Sequence, residues 1–195
     1  PMAAITGTNG KTTTSRLIGR ILKMTGKRVG LTTTDGIYID GERVLKGDMT
    51  GPWSARVVLM DPTVEAAVLE TARGGILREG LGWDRCDVGC VVNVSADHLG
   101  LGGIETVEEL AYVKQLVLEV VRDTGTSVLN ADDPLVARMV DKAEGKIMYF
   151  ARSPANEIVR AHVKKGGRAA VVEQGVNGDM LTIYDGDRHI PVTWT

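Results

Sequence analysis

The chain has 195 residues, 43% of them hydrophobic and 25% charged, with 24 glycines and 6 prolines; this globular composition supports a full core and excludes disorder or a minimal peptide scaffold. Its 23 Lys and Arg against 25 Asp and Glu give a net charge of −2, too weak an overall field to hold nucleic acid or a membrane surface. Its apolar runs fall far short of the roughly 20 residues that span a bilayer, and its opening residues PMAAITGTNG lack the order of a secretion signal, so a cytoplasmic address is expected.

In chain order, Met2–Thr6 reads as a strand and Thr12–Met24 as a helix that places Leu17, Ile21 and Met24 on one face, with Gly26 as its stop. Val29–Thr33 is a second strand. From Asp35 to Pro62 turn signals dominate, with a hairpin around Ile37–Val44, and this insertion is a candidate substrate loop. Buried strands follow at Ala66–Glu70, Val88–Val94 and Ser127–Leu129, separated by a Gly-rich turn with a short helix and by a long helix near Val107–Arg122. A helix over Pro134–Ala143 and a strand at Ile147–Phe150 complete the alternation. Such alternation predicts an α/β domain with a doubly wound, mostly parallel sheet, whose ligands collect beyond the carboxyl ends of its strands. Ala169–Glu173, Leu181–Tyr184 and His189–Val192, joined by Asn177-Gly178 and Asp185-Gly186, predict a C-terminal antiparallel meander. Residues 152–195 are thus expected to be a peripheral subregion of one domain over 1–195. Cys86 and Cys90 have no second cysteine pair beside them and read as buried thiols. His162 and His189 read as surface or meander residues.

The segment Gly7-Thr8-Asn9-Gly10-Lys11-Thr12-Thr13 follows the first strand and opens the first helix. In that setting backbone N–H groups and a helix N-terminus can cradle phosphate oxygens. Lys11 would neutralise the β- and γ-phosphates, Thr12 would set its hydroxyl on Mg²⁺, and the glycines would let the backbone approach the ligand. The loop is shortened: two residues separate Gly7 from Gly10 where the general pattern has four, and Ile5 stands where the first glycine would fall. ATP and Mg²⁺ are the expected cofactors. The plain alternative is a Gly-rich strand-to-helix turn with an exposed Lys.

Read from Ile5 to Thr13, this loop resembles the signature of the Mur ligases, ATP-dependent amide-forming enzymes that include folylpolyglutamate synthase. Three further segments resemble that family in the same order: Leu69-Glu70 its metal-site Glu, Asn93-Val94-Ser95-Ala96-Asp97-His98-Leu99 its Asn-x-x-x-Asp-His segment, and Leu129-Asn130-Ala131-Asp132-Asp133-Pro134 its nucleotide-side segment. The segments at 32–38, 47–52 and above all Glu70-Thr71-Ala72-Arg73-Gly74-Gly75-Ile76-Leu77-Arg78 are similar to the members that polymerise arginine and aspartate without a template. That resemblance implies a domain that attaches arginine to an aspartate β-carboxylate on a growing Asp/Arg polymer. It also implies a larger, homo-oligomeric parent chain with an ATP-grasp module and a C-terminal Mur domain.

Converting a carboxylate to an acyl phosphate brings two anions together, so metal and Lys are expected to do most of the stabilising. Hard oxygen ligands at strand ends suit that task, and Thr12 and Glu70 fit, with Thr33 or Thr34 as a further contributor. Alone, Glu70 could simply cap the following turn. The resemblance assigns His98 to the metal, and it places Lys114 where the family carries a carbamylated lysine; a solvated helical Lys among Glu108, Glu109 and Glu119 is the alternative. Asn130 has the donors and acceptor to read the adenine edge, and Asp133 stands beside it on the nucleotide side or else serves as a helix N-cap before Pro134. Arg73, set among small residues, is a candidate clamp for a substrate carboxylate, with Arg78 a second; surface pairing to Glu79 or Asp84 is the alternative. Two other readings stay open. One is a Mur-type ligase for another acceptor, such as a peptidoglycan precursor or a polyglutamate tail, and the other is an ATP-binding module that forms no bond.

Overall fold

The computed structural model describes residues 1–96, 99–100, 102–175 and 178–194. The elements follow in order as β1 (Met2–Thr6), α1 (Lys11–Met24), β2 (Val29–Thr33), β3 (Gly36–Ile39), β4 (Glu42–Lys46), α2 (Pro52–Met60), β5 (Ala66–Glu70), α3 (Arg73–Glu79) and β6 (Cys86–Val91). Then come α4 (Val107–Glu119), β7 (Val121–Asn130), α5 (Pro134–Arg138) with a 3₁₀ turn over Met139–Lys142, β8 (Lys146–Ala151), α6 (Glu157–Lys164), β9 (Arg168–Gly175), β10 (Gly178–Asp185) and β11 (Arg188–Trp194).

The described strands form one sheet in the order β11-β10-β9-β8-β7-β6-β1-β5-β2-β3-β4. From β9 to β2 every neighbouring pair is parallel, while β3–β4 and β10–β11 extend the two edges as antiparallel ribbons. Central strands alternate their side chains between two cores. Ala3, Ile5 and Val68 face one side, with Ile18 and Leu22 of α1 packed against that cluster. Ala4, Ala67 and Leu69 face the other, with Val58, Val117 and Leu118 from α2 and α4. Both faces of the parallel core are therefore covered, as its near-continuous apolar strands require.

The first helix corrects the sequence reading. Leu17, Ile21 and Met24 do share a face, but it is exposed, at 59%, 61% and 73%. The sheet is met instead by buried Ser15 and Gly19, flanked by Ile18 and Leu22. Small residues let the helix axis approach closely, and this contact outweighs the larger apolar residues a step around the helix. Two helices also escape the sequence pattern. Pro52 occupies the first turn of α2 rather than a loop, and α6 begins after Asn156, whose side chain accepts from the Ile158 and Val159 N–H groups. His162 accordingly lies on α6, within 3.1 Å of the Ile147 carbonyl and edge-on to Tyr149, rather than in the meander. Strand β6 starts two residues earlier than expected and stops at Val91, and β7 runs ten residues. The helix expected over Pro134–Ala143 is a five-residue α5 followed by the 3₁₀ turn. Both cysteines are buried, and burial pushes each thiol up to about 12.

Candidate active site

The carboxyl ends of β1, β2, β5 and β6 lie side by side in the sheet, and the segments leaving them converge. Leaving β1, the chain turns through Gly7 at φ +155° and Gly10 at φ +82° before α1. A Cβ on Gly7 would sit 3.1 Å from Val92 Cβ and 3.2 Å from the Asn93 nitrogen, so the close approach of β1 to the strand beside it needs glycine there.

Asn93, just past β6, fixes this loop. Its Oδ1 accepts from the Thr8 N–H at 3.1 Å and the Asn9 N–H at 2.9 Å, and its Nδ2 donates to the Asn9 carbonyl at 3.0 Å. The Thr8 hydroxyl exchanges hydrogen bonds with the Ser95 backbone, its oxygen accepting from the Ser95 N–H at 3.0 Å. Lys11 Nζ donates to the Thr8 carbonyl at 2.8 Å, and Lys114 Nζ donates to the Gly7 carbonyl at 2.8 Å. Lys114 is 3% exposed, which rules out the solvated reading of that side chain. Each bond contributes about 0.5–1.5 kcal/mol, and together they hold the loop before any ligand arrives.

At the second residue of α1, the Thr12 hydroxyl lies 3.0 Å and 2.9 Å from the two Glu70 oxygens and 3.3 Å from the Thr34 hydroxyl. Glu70 ends β5 and is 2% exposed. Burial raises its pKa, with nearby Asp48 adding to the rise, against the Thr12 hydrogen bond and the Lys11 charge. A buried carboxylate beside two hydroxyls is a hard-oxygen set that a divalent cation would satisfy, and the residues present fit Mg²⁺. Thr33 does not join them. Its hydroxyl donates to Asp35 and lies 3.3 Å from the Gly36 carbonyl, which fixes the turn into β3, so the oxygen at the site from this segment is that of Thr34. Thr13 is exposed on α1.

Lys11, Lys114, Arg73, Thr34, Asp48 and Thr50 line a cavity of about 220 Å³ above this cluster. Arg73 opens α3 directly after the segment that follows β5. Arg78 lies on the exposed side of the same helix. Asp48 comes from the segment between β4 and α2, its Oδ1 accepting from the Thr50 N–H and hydroxyl. Neither Asn93 nor Asp48 was assigned a role by sequence; the available signal was an Asn at the end of the strand beside β1, and an acidic residue in the segment flagged as a substrate loop.

The 130–133 turn behaves differently. Asn130 Nδ2 donates to the Val92 carbonyl at 2.9 Å and its Oδ1 accepts from the Asp132 N–H at 2.9 Å. Asp133 caps α5 by accepting from the Leu135 and Val136 N–H groups, and its other oxygen accepts from the Val94 N–H at 2.7 Å. These side chains buttress the 92–95 segment that clamps the phosphate loop, and Asp133 serves as the helix N-cap. Asp97 and His98 lie outside the described residues.

The phosphate loop, the buried Glu70 and the parallel sheet define a class. The chain belongs to the Mur ligase middle domain family, whose description matches residues 5–192. More particularly, it is 60% identical over 175 residues to a cyanophycin synthetase of Synechocystis sp., covering 90% of this chain and 20% of that protein. Among solved structures, it superposes with a TM-score of 0.73 on a UDP-N-acetylmuramoyl-L-alanyl-D-glutamate–2,6-diaminopimelate ligase, at 23% identity over 98% of this chain and 38% of that one. It also superposes, with a TM-score of 0.62 and 20% identity over 97% of this chain and 48% of that one, on a bifunctional folylpolyglutamate synthase/dihydrofolate synthase solved with Mn, AMPPNP and L-glutamate bound. The chain spans about a fifth of the length of the curated relatives it matches.

Proposed function

We propose that this chain is the ATP-binding central domain of a cyanophycin synthetase, an ATP-dependent amide ligase that attaches arginine to aspartate β-carboxylates of an Asp/Arg polymer. In this reading residues 1–195 belong to a larger cytoplasmic, homo-oligomeric enzyme that also carries ATP-grasp and C-terminal Mur-type domains, and residues 152–195 are a peripheral part of the same domain. The observation that carries it is the 60% identity to a cyanophycin synthetase over 90% of the chain, whereas the likeness to the diaminopimelate ligase is one of fold at 23% identity.

In this reading the chemistry has two steps. ATP's γ-phosphoryl group passes to the aspartate β-carboxylate, giving an acyl phosphate and ADP. Arginine's α-amine then attacks the acyl carbon, forming the amide and releasing phosphate and a proton. Gly10 and the first N–H groups of α1, which no side chain caps, offer backbone donors to the phosphates, and Lys11 adds a point charge beside them. Thr12, Glu70 and Thr34, with His98 as a further ligand, would hold Mg²⁺, which supplies charge neutralisation between phosphate and carboxylate. Arg73 orients the acceptor carboxylate through its planar fork, and correct placement is worth several kcal/mol (up to about 7–11) in such reactions. Lys114 holds the Gly7 carbonyl and thereby the loop's shape.

The test is ATP consumption by the intact enzyme with an Asp/Arg primer and each amino acid in turn. Arginine should raise ADP release well above the other amino acids. A preference for glutamate or diaminopimelate would move the chain to another Mur-type activity, and ADP release unaffected by any amino acid would leave an ATP-binding module.

A further inference from the structure

A second cleft leads away from the Thr12–Glu70 cluster. Thr12, Arg16, Arg20 and Lys23 recur at intervals of four, four and three along α1, so they form one stripe down the helix. Opposite them runs the β2–β3 hairpin, and between the two lies a cavity of about 380 Å³ with Gly19, Leu31 and Tyr38 among its lining. The floor is apolar where Gly19 and Leu31 meet, and the rim is basic. Arg16 pairs with Asp35 at 2.6 Å and lies 5.8 Å from the Tyr38 ring centre, and Lys23 pairs with Asp40 at 3.3 Å. Arg20, exposed between them, makes no ion pair with any described residue. Its nearest basic residue, Arg16, stands one helical turn from Thr12 and pairs with Asp35, which follows Thr34 in the chain, so the cleft neighbours the candidate active site.

From this geometry we infer that the α1–hairpin cleft is a track for the already elongated part of the peptide polymer, behind the end that reacts. The inference rests on the proposed ligase reading, which supplies the ligand's chemistry. When arginine's α-amine forms the amide, its own carboxylate stays free, so every finished unit carries one carboxylate, one guanidinium and a run of methylenes. Helical residues four apart rise about 6 Å, and alternate residues of an extended chain lie roughly 7 Å apart, so successive carboxylates on one side of the polymer match Arg16 and Arg20. The methylenes would lie over Gly19 and Leu31, and the guanidiniums would meet the hairpin carboxylates Asp35 and Asp40. A single Asp–Arg unit at the reacting end would not reach Arg20.

The experiment uses the intact enzyme with Arg20→Glu and the conservative Arg20→Lys, assayed with synthetic Asp–Arg primers of one and of about eight units. For the long primer Arg20→Glu should raise KM about fivefold or more, with kcat and the KM values for ATP and arginine within twofold of the unsubstituted enzyme. For the one-unit primer its KM should be unchanged, and Arg20→Lys should behave as the unsubstituted enzyme throughout. If the unsubstituted enzyme uses these primers but Arg20→Glu changes neither KM, or changes both equally, the track is overturned while the ligase reading stands. If the unsubstituted enzyme adds arginine to no primer, the ligase reading fails and the track falls with it.

Discussion

Two turns at the carboxyl ends of parallel strands, Gly7–Gly10 after β1 and Asn130–Asp133 after β7, both look from sequence like nucleotide contacts, and they differ in what their polar groups already do. In the first, the loop is held from outside, by Asn93, Ser95 and Lys114. Lys11 uses one donor on the Thr8 carbonyl, and an ammonium has three. In the second, the side chains are the holders: Asp133 accepts three backbone N–H groups and Asn130 bridges to Val92. One turn keeps donors of Lys11 unspent, and the other spends its side chains on supporting the segment that holds the first. Similar strand-end motifs thus do different structural work, one turn held by its neighbours and the other doing the holding.

Variants of the two turns should separate along that line. Lys11→Ala should cost on the order of a thousandfold or more in ligation rate, since no neighbouring side chain replaces its charge at the phosphates, while circular dichroism and melting stay close to those of the unsubstituted protein. Glu70→Gln should lower the rate by about a hundredfold to a thousandfold, and added Mg²⁺ should restore little of it. Because burial raises the Glu70 pKa, its ionised form is disfavoured in the folded protein, so without metal the same variant should melt no lower than the parent at neutral pH. A melting temperature several degrees lower would mean that the carboxylate is structural.

Asp133→Ala should show the opposite balance, losing about 1–3 kcal/mol of stability in denaturant unfolding as three backbone donors lose their acceptor, with a much smaller change in rate at saturating ATP. Complete loss of ATP binding at unchanged stability would erase the contrast between the turns. Arg73→Lys keeps the charge but loses the fork, so KM for the polymer primer should rise about tenfold while nucleotide affinity holds, as equilibrium binding of a labelled ATP analogue can check. Smallest of all, Asp141→Ala at an exposed position of the 3₁₀ turn should stay within about 0.5 kcal/mol in stability and twofold in rate.

What the sequence could disclose depended on how local the determining forces are. The strands at Met2–Thr6, Val29–Thr33 and Ala66–Glu70 are buried on both faces, so their composition is constrained at every position and their bounds read correctly. The phosphate loop is equally local, its glycines required by backbone geometry. The inward face of α1 is not legible because tight packing selects Ser15 and Gly19, which carry no hydrophobic signal. Helices α2 and α6 were missed because Pro52 and the Ser153-Pro154 pair look like turns until the following residues are seen to pack. The choice of Thr34 over Thr33 follows from strand pleat and the hairpin turn, and the clamp by Asn93 follows from β6 lying beside β1. Both depend on pairing between distant segments, which a single sequence does not display.

The proposed role of this phosphate loop and Glu70 is arginine addition to an aspartate polymer. Its most direct test is ATP-dependent incorporation of labelled arginine onto a primer with a poly-aspartate backbone by the intact enzyme. Incorporation that requires ATP and disappears with Lys11→Ala is the predicted result. Absence of arginine incorporation alongside efficient incorporation of another amino acid would contradict it.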